Sequence, residues 1–248
     1  MVDRNGAMAT RLVSLTFDAI DPVRLARFWA SALGWKIVDE SADEIGVHPT
    51  DGTQLTFVFV RVPEEKAAKN PIHPELATES LDDQRAVVGR LLELGAYHVD
   101  IGQGPEDDDG TVLADPEGNE FCVGVRGEFF ADTGFLAAIA FEPAHPATCY
   151  FWGQAIGWPV VYDEGGDVAI REPGGTGPFI TSGPPGTAKH AKGRLHFDVA
   201  PQVGGDHAAE VDRLLALGAR RIDIGQGDVP WVVLADPDGN EFCVLTPR

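Results

Sequence analysis

"LADPEGNEFCV", Leu113 to Val123, returns as "LADPDGNEFCV", Leu234 to Val244, with a single Glu-to-Asp change and a cysteine at the same place in both. A repeat of this kind has to be read first, because missing it miscalls the fold. The copying extends well outside the motif. "LLELGAYHVDIGQG" (Leu91 to Gly104) matches "LLALGARRIDIGQG" (Leu214 to Gly227), 123 positions on. "FWASALGW" (Phe28 to Trp35) matches "FWGQAIGW" (Phe151 to Trp158) at the same offset, and His73 falls on His196. The offset shortens to 121 only after the GQG, where "PEDDDGTV" gives way to "DVPWVV". The register implies two equivalent domains, residues 10–127 and 133–248. Residues 128–132, in "GEFFADTG", are read as a linker and residues 1–9 as a flexible N-terminus.

Each half divides again. "RLVSLTFDAI" alternates apolar and polar residues as a strand does, with Leu12, Phe17 and Ile20 among its large members. "DPVRLARFWASALGW" carries helix signals: Asp21 as N-cap, Pro22 at the first helical position, Gly34 at the stop. "WKIVDE", "EIGVHP" and "TQLTFVFVRV" then read as strands. "PIHPELAT" opens a second unit, whose amphipathic helix "LDDQRAVVGRLLELGA" places Val87, Val88, Leu91, Leu92 and Leu94 on one side and ends at Gly95. The pattern is β-α-β-β-β, four times over. Asp-Pro-acid-Gly-Asn reads as a tight turn between two strands, with Pro presetting φ and Gly and Asn tolerating positive φ.

Four such units resemble the vicinal oxygen chelate superfamily (glyoxalase, bleomycin-resistance and dioxygenase proteins), as tandem glyoxalase-like domains. The resemblance rests on the "RLHFDV" strand opening and the "LADPDGNEFCV" ending, and covers about residues 11–248. It implies an α+β fold: four βαβββ modules paired into two glyoxalase-like domains with cup-shaped mixed sheets, each half's two modules forming one cup. It also implies a divalent-metal site in those members that have one. The matching positions are near Ser14, Val60, His73 and Cys122 in one half, and near Ala137, Thr181 to Gly183, His196 and Cys243 in the other. Only His and Cys are metal ligands there, two per cup against the three or four zinc needs, so no metal is expected. Glu75 and Asp198, two residues beyond each His on the same strand face, are the residual candidates.

Composition narrows the function. A formal charge of −20 argues against nucleic acid and anionic membranes and favours neutral or cationic ligands. No apolar run approaches ~20 residues, no secretory h-region opens the chain, and three cysteines are too few for a disulfide framework. A cytoplasmic protein with reduced thiols is expected, either a monomer of two pseudo-symmetric domains or a homodimer. P-loop, Ser-elbow, CxxC and HExxH motifs are absent.

Cys122 and Cys243 read most simply as small buried core residues, and His73 and His196 as either hydrogen-bonding residues or relic ligands. Pro74 hints at an edge strand or bulge. Trp231 stands before the last hairpin, where its counterpart stretch has the acidic run Glu106–Asp109, and an indole at a cup mouth can stack on a planar ligand. The Gly/Pro-rich segments Gly174–Gly177 and Gly183–Gly186 read as a flap-like loop. Two functions follow. One is a non-catalytic protein that binds a small hydrophobic or planar molecule, with Trp231, His73, His196, Cys122 and Cys243 as ligand-binding candidates. The other is a lyase, isomerase or dioxygenase-type enzyme, metal-dependent or using His73 or His196 as general base beside Glu75 or Asp198.

Overall fold

A computed structural model describes residues 10–102, 110–142, 147–175, 177–183, 189 and 191–248. Residues 1–9, the acidic run Glu106–Asp109 and part of the Gly/Pro-rich loop lie outside the described residues. The first module comprises β1 (Arg11–Ala19), α1 (Pro22–Leu33), β2 (Lys36–Val38), β3 (Glu44–His48) and β4 (Thr56–Arg61). The second comprises β5 (Ile72–Thr78), α2 (Leu81–Glu93), β6 (Tyr97–His98), β7 (Thr111–Ala114) and β8 (Glu120–Val125). The third is β9 (Leu136–Phe141), α3 (Ala147–Ile156), β10 (Val160–Glu164), β11 (Asp167–Ile170) and β12 (Phe179–Ser182). The fourth is β13 (Leu195–Ala200), α4 (His207–Ala216), β14 (Arg220–Arg221), β15 (Val232–Ala235) and β16 (Glu241–Val244).

The caps explain where the helices lie. Asp21 accepts from the Arg24 N–H at the start of α1, and Gly34 ends the helix in the left-handed region at φ 70°. Ser80 caps α2 and Asp206 caps α4 in the same way. On α2, Leu91 is buried and Val87, Val88 and Leu92 are partly so, whereas Leu94 is exposed at the C-cap. Ile20 is likewise exposed, one residue past the end of β1.

The modules make two open eight-stranded sheets, ordered β14-β15-β16-β13-β1-β4-β3-β2 and β10-β11-β12-β9-β5-β8-β7-β6. Module one therefore joins module four through the antiparallel β1–β13 pair, and module two joins module three through β5–β9. The expectation that each half curls its own two modules into a cup is corrected here: each sheet spans both halves. Within a half, β1 and β5 (or β9 and β13) each keep one edge open after pairing inside their module. Pairing across halves satisfies all four open edges.

The aromatic packing of α1 and α3, by contrast, stays inside the halves. Trp29 of α1 lies against Phe17, Phe57 and Phe121, with ring centroids 5.6, 5.5 and 5.1 Å away. Trp152 of α3 lies against Phe141 and Phe242, the counterparts of Phe17 and Phe121, and against Phe197. Both indoles are fully buried, and such tilted and edge-to-face contacts add to the area they bury. Pro74 sits in β5, a central strand rather than an edge one. The β5–β9 ladder shifts register between Glu75 and Leu76. A matching shift between Leu12 and Ser14 in the β1–β13 ladder, where no Pro is present, shows that the bulge belongs to the module joint and not to Pro74.

Candidate functional site

The two module joints carry the same residues in the same places. On the module two–three sheet, His73 is paired with Ala140 and Glu75 with Ala138 across the antiparallel ladder. Cys122 lies beside Glu75 on the parallel neighbour. On the module one–four sheet, His196 pairs with Thr16 and Asp198 with Ser14, and Cys243 lies beside Asp198. Cross-strand partners share a face, and so do residues two apart on a strand. Each joint thus gathers a His, an acid and a Cys on one face, flanked by two hydroxyl residues in one copy and two alanines in the other.

That exchange of hydroxyl for methyl separates the two sites. Asp198 Oδ2 accepts from Ser14 Oγ at 3.0 Å and Thr16 Oγ1 at 2.7 Å, and Asp198 Oδ1 faces His196 Nε2 at 3.3 Å. Burial alone would lower the His196 pKa, but Asp198 and Cys243 hold it well above the ordinary histidine range. Burial alone would raise Asp198, but His196 and the two hydroxyls bring its pKa below the usual value. His196 and Asp198 thus shift in opposite directions, each favouring the other's charged form.

The module two–three site has no such closure. Glu75 has no hydrogen-bond donor among the described residues, and burial raises its pKa. His73, with a side chain only 9% exposed, has Nε2 3.9 Å from Glu75 and Nδ1 3.8 Å from Glu142, both beyond hydrogen-bond reach. Its buried Nδ1 has no partner. Burial lowers the His73 pKa and Lys69 lowers it further against the opposing pull of Glu142 and Glu120, so the ring is neutral. Lys69 pairs with Glu142 at 2.7 Å and Lys66 with Glu120 at 2.5 Å, and at the polar end Glu75 has no cation beside it among the described residues. The Cys122 thiol is pushed up to about 12, by burial first and then by Glu75 and Glu142, and is no nucleophile.

Above this face opens a cavity of about 660 Å³, within the range of ordinary small-molecule sites. Its apolar wall includes Phe129, Phe130, Phe141 and Tyr162, and its polar end includes His73 and Glu75. Phe129 and Phe130 come from the segment read as a linker, which forms a 3-10 turn over Glu128–Phe130. Phe129 stacks on Phe179 and meets Tyr162 edge-on. The lining residues come from the second and third modules and the segment between them, so the cavity is a property of neither half alone.

The sequence profile of glyoxalase-like domains matches residues 14–124 and again 138–245. The chain belongs to the glyoxalase-like domain family. Solved structures agree on the fold. A Bacillus subtilis protein provisionally named a dioxygenase aligns with a TM-score of 0.61 at 14% identity, covering 97% of this chain and 86% of that one. Glyoxalase I from Zea mays aligns at 0.64 and 12% identity, covering 96% and 92%. At such identities the likeness speaks for the fold, which hosts several activities. No curated protein matches the chain.

Glyoxalase-like folds raise the question of a metal, and the two joints answer it differently. His196, Asp198 and Cys243 offer ligand atoms all within 4.8 Å of one another. Two donors per cup were expected from the sequence; Asp198 makes three in this one, and its buried Oδ1 lacks a hydrogen-bond donor of proper geometry. An N, O and S set of this kind fits zinc. Among the described residues His73, Glu75 and Cys122 form no such group. Trp231 is 37% exposed beside β15 and does not line the large cavity, and His196 and Cys243 do not line it either. The sequence reading missed Phe129, Phe130, Tyr162, Lys69 and Glu142. The signals were an aromatic pair inside a supposed linker and the lysines Lys66 and Lys69, which recur as Lys189 and Lys192 in the 123-residue register.

Proposed function

We propose that this glyoxalase-like protein binds and sequesters a small molecule with a flat apolar portion in the cavity between modules two and three. The observation that carries the reading is the cavity itself: about 660 Å³, walled by Phe129, Phe130 and Tyr162, with a neutral, unpartnered His73 at its polar end. Aromatic walls supply non-directional contact, and a few buried polar atoms set orientation. The raised Cys122 pKa supports binding without covalent chemistry at that thiol. Calorimetric titration with naphthylmethanol, a flat neutral probe, tests the reading. Saturable binding that weakens about ten-fold in Phe129→Ala is expected, in line with losing one aromatic wall. Undetectable binding, or binding indifferent to Phe129→Ala and Tyr162→Ala together, would overturn it.

A second reading has one observation in its favour, the His196, Asp198 and Cys243 group. Those three residues would hold a divalent ion, which when bound supplies Lewis-acid polarisation of a substrate oxygen, as lyase, isomerase and dioxygenase-type chemistry requires. Without it, His196 is an acid paired to Asp198 rather than a base, whereas neutral His73 beside Glu75 is the imidazole able to accept a proton. Zinc uptake by chelator-treated protein, followed by metal analysis, decides the matter: near-stoichiometric zinc that disappears in Cys243→Ser and persists in His73→Ala favours this reading, and no retained zinc removes it.

A further inference from the structure

The two joints are copies, and one of them shows what the other lacks. Asp198 is satisfied by two hydroxyl donors, Ser14 and Thr16, reaching it from the paired strand. At the register-equivalent positions opposite Glu75 and His73 stand Ala138 and Ala140. A methyl group donates nothing, and its smaller bulk leaves room where the hydroxyl side chains would sit. The cavity lies over the copy with alanines, and Ala140 forms part of its wall. Glu75 thus faces the cavity without the two donors its counterpart Asp198 has, and His73 Nδ1 beside it has no partner among the described residues. A carboxylate only accepts hydrogen bonds, and a neutral imidazole offers one acceptor nitrogen beside its one N–H.

Building on the binding reading, we propose that the ligand itself supplies those donors: it carries a protonated amine or amidine that docks on Glu75, with His73 as a second acceptor, while its flat apolar body lies against Phe129, Phe130 and Tyr162. The charge balance of the wall agrees. Lys69 neutralises Glu142 and Lys66 neutralises Glu120, so Glu75 is the buried-end carboxylate left for a ligand cation, and Asp167 adds a further negative charge to the lining. An anionic ligand would meet uncompensated repulsion at that end. Charge-assisted hydrogen bonds of this kind are about twice as strong as neutral ones.

Titration calorimetry with three probes of one shape, naphthylmethylamine, naphthylmethanol and naphthoate, tests the assignment on the full chain. The amine should bind about ten-fold or more tighter than the alcohol, and the carboxylate weakest. Glu75→Gln, which keeps the side chain's size, should erase the preference for the amine over the alcohol. Ala140→Thr, which transplants the hydroxyl of the closed copy, should weaken amine binding about five-fold or more and serves if Glu75→Gln fails to fold. Equal binding of amine and alcohol, or an amine preference that survives both substitutions, overturns the donor assignment and leaves the binding reading standing. Failure of all three probes to bind overturns both.

Discussion

Trp29 Nε1 donates a 3.1 Å hydrogen bond to Asp115 Oδ2, so the tryptophan of the repeated "FW" pair is tied to the aspartate of the repeated turn. Trp152 makes the same bond to Asp236 at 3.2 Å. Both carboxylates are fully buried, and each also takes donors from its own turn: Asn119 and the Glu117 N–H for Asp115, Asn240 and the Asp238 N–H for Asp236. The two motifs repeat together because they are two ends of one contact that joins the modules of a half. Trp29→Phe and Trp152→Phe should each lower stability by about 1–3 kcal/mol, the cost of withdrawing a donor from a buried acceptor plus a small void. Urea unfolding reads this as a lower midpoint at unchanged m-value; a loss under about 0.5 kcal/mol in both would show the bonds to be incidental.

The single Glu-to-Asp difference between the motifs also has a structural cause. Glu117 reaches the Ile20 and Asp21 N–H groups at 2.9 and 2.7 Å and the buried Arg194 guanidinium at 2.9 Å. The shorter Asp238 instead takes the Thr148 hydroxyl at the start of α3. Shortening Glu117→Asp should break its bridge to Arg194 and cost about 1–3 kcal/mol, because Arg194 is left buried without its carboxylate. Thermal unfolding of Glu117→Asp beside Asp238→Ala compares the two; equal and small shifts would contradict the bridging role.

His73 and His196 should titrate on opposite sides of the ordinary histidine value of 6.5. For His196 the folded pKa is raised, so its contribution to stability is full below about pH 6.5 and is lost as pH rises through the folded value. For His73 the folded pKa is lowered, so its contribution is full above about pH 6.5 and is lost as pH falls through the folded value. Imidazole proton NMR on chelator-treated protein follows both rings. His196→Asn should flatten the alkaline decline in stability, and His73→Asn the acidic one; reversed slopes would refute the assignment of charge states.

Native thiols should be sluggish. Burial pushes Cys122 and Cys149 up to about 12 and raises Cys243 as well. At pH 8 a thiol with so high a pKa is almost wholly protonated, so alkylation should run at least ~100-fold slower than in denatured protein. Mass spectrometry after iodoacetamide treatment counts the modified sites. Rapid stoichiometric labelling of Cys122, the least buried of the three, would run against the inert-thiol reading of the cavity.

Much of the module plan was legible in the residues. Asp21, Pro22 and Gly34 mark α1 because capping and left-handed termination are local matters of one turn. The strand endings around Asp-Pro-acid-Gly-Asn follow from turn chemistry in the same way. The site was legible in its repeated members, His73 and His196, Cys122 and Cys243, and in the acids Glu75 and Asp198 two residues beyond each His. Glu142 and Tyr162 carry no local signal of a cavity, because they reach it from the third module while His73 and Glu75 stand in the second.

What the chain itself determined, then, is everything governed by short-range stereochemistry: four β-α-β-β-β modules, their caps and turns, and a duplicated set of polar groups. Only the tertiary structure decided which open edges meet. β5 and β13 both carry a His-x-acid strand, and edge pairing depends on backbone donors and acceptors that every strand shares, so strand sequence alone does not choose which of them joins β1. The β1–β13 and β5–β9 seams place Ser14 and Thr16 against Asp198 but Ala138 and Ala140 against Glu75. A difference of two hydroxyls, invisible until those strands are paired, leaves one copy sealed by its own hydrogen bonds and the other open to a ligand.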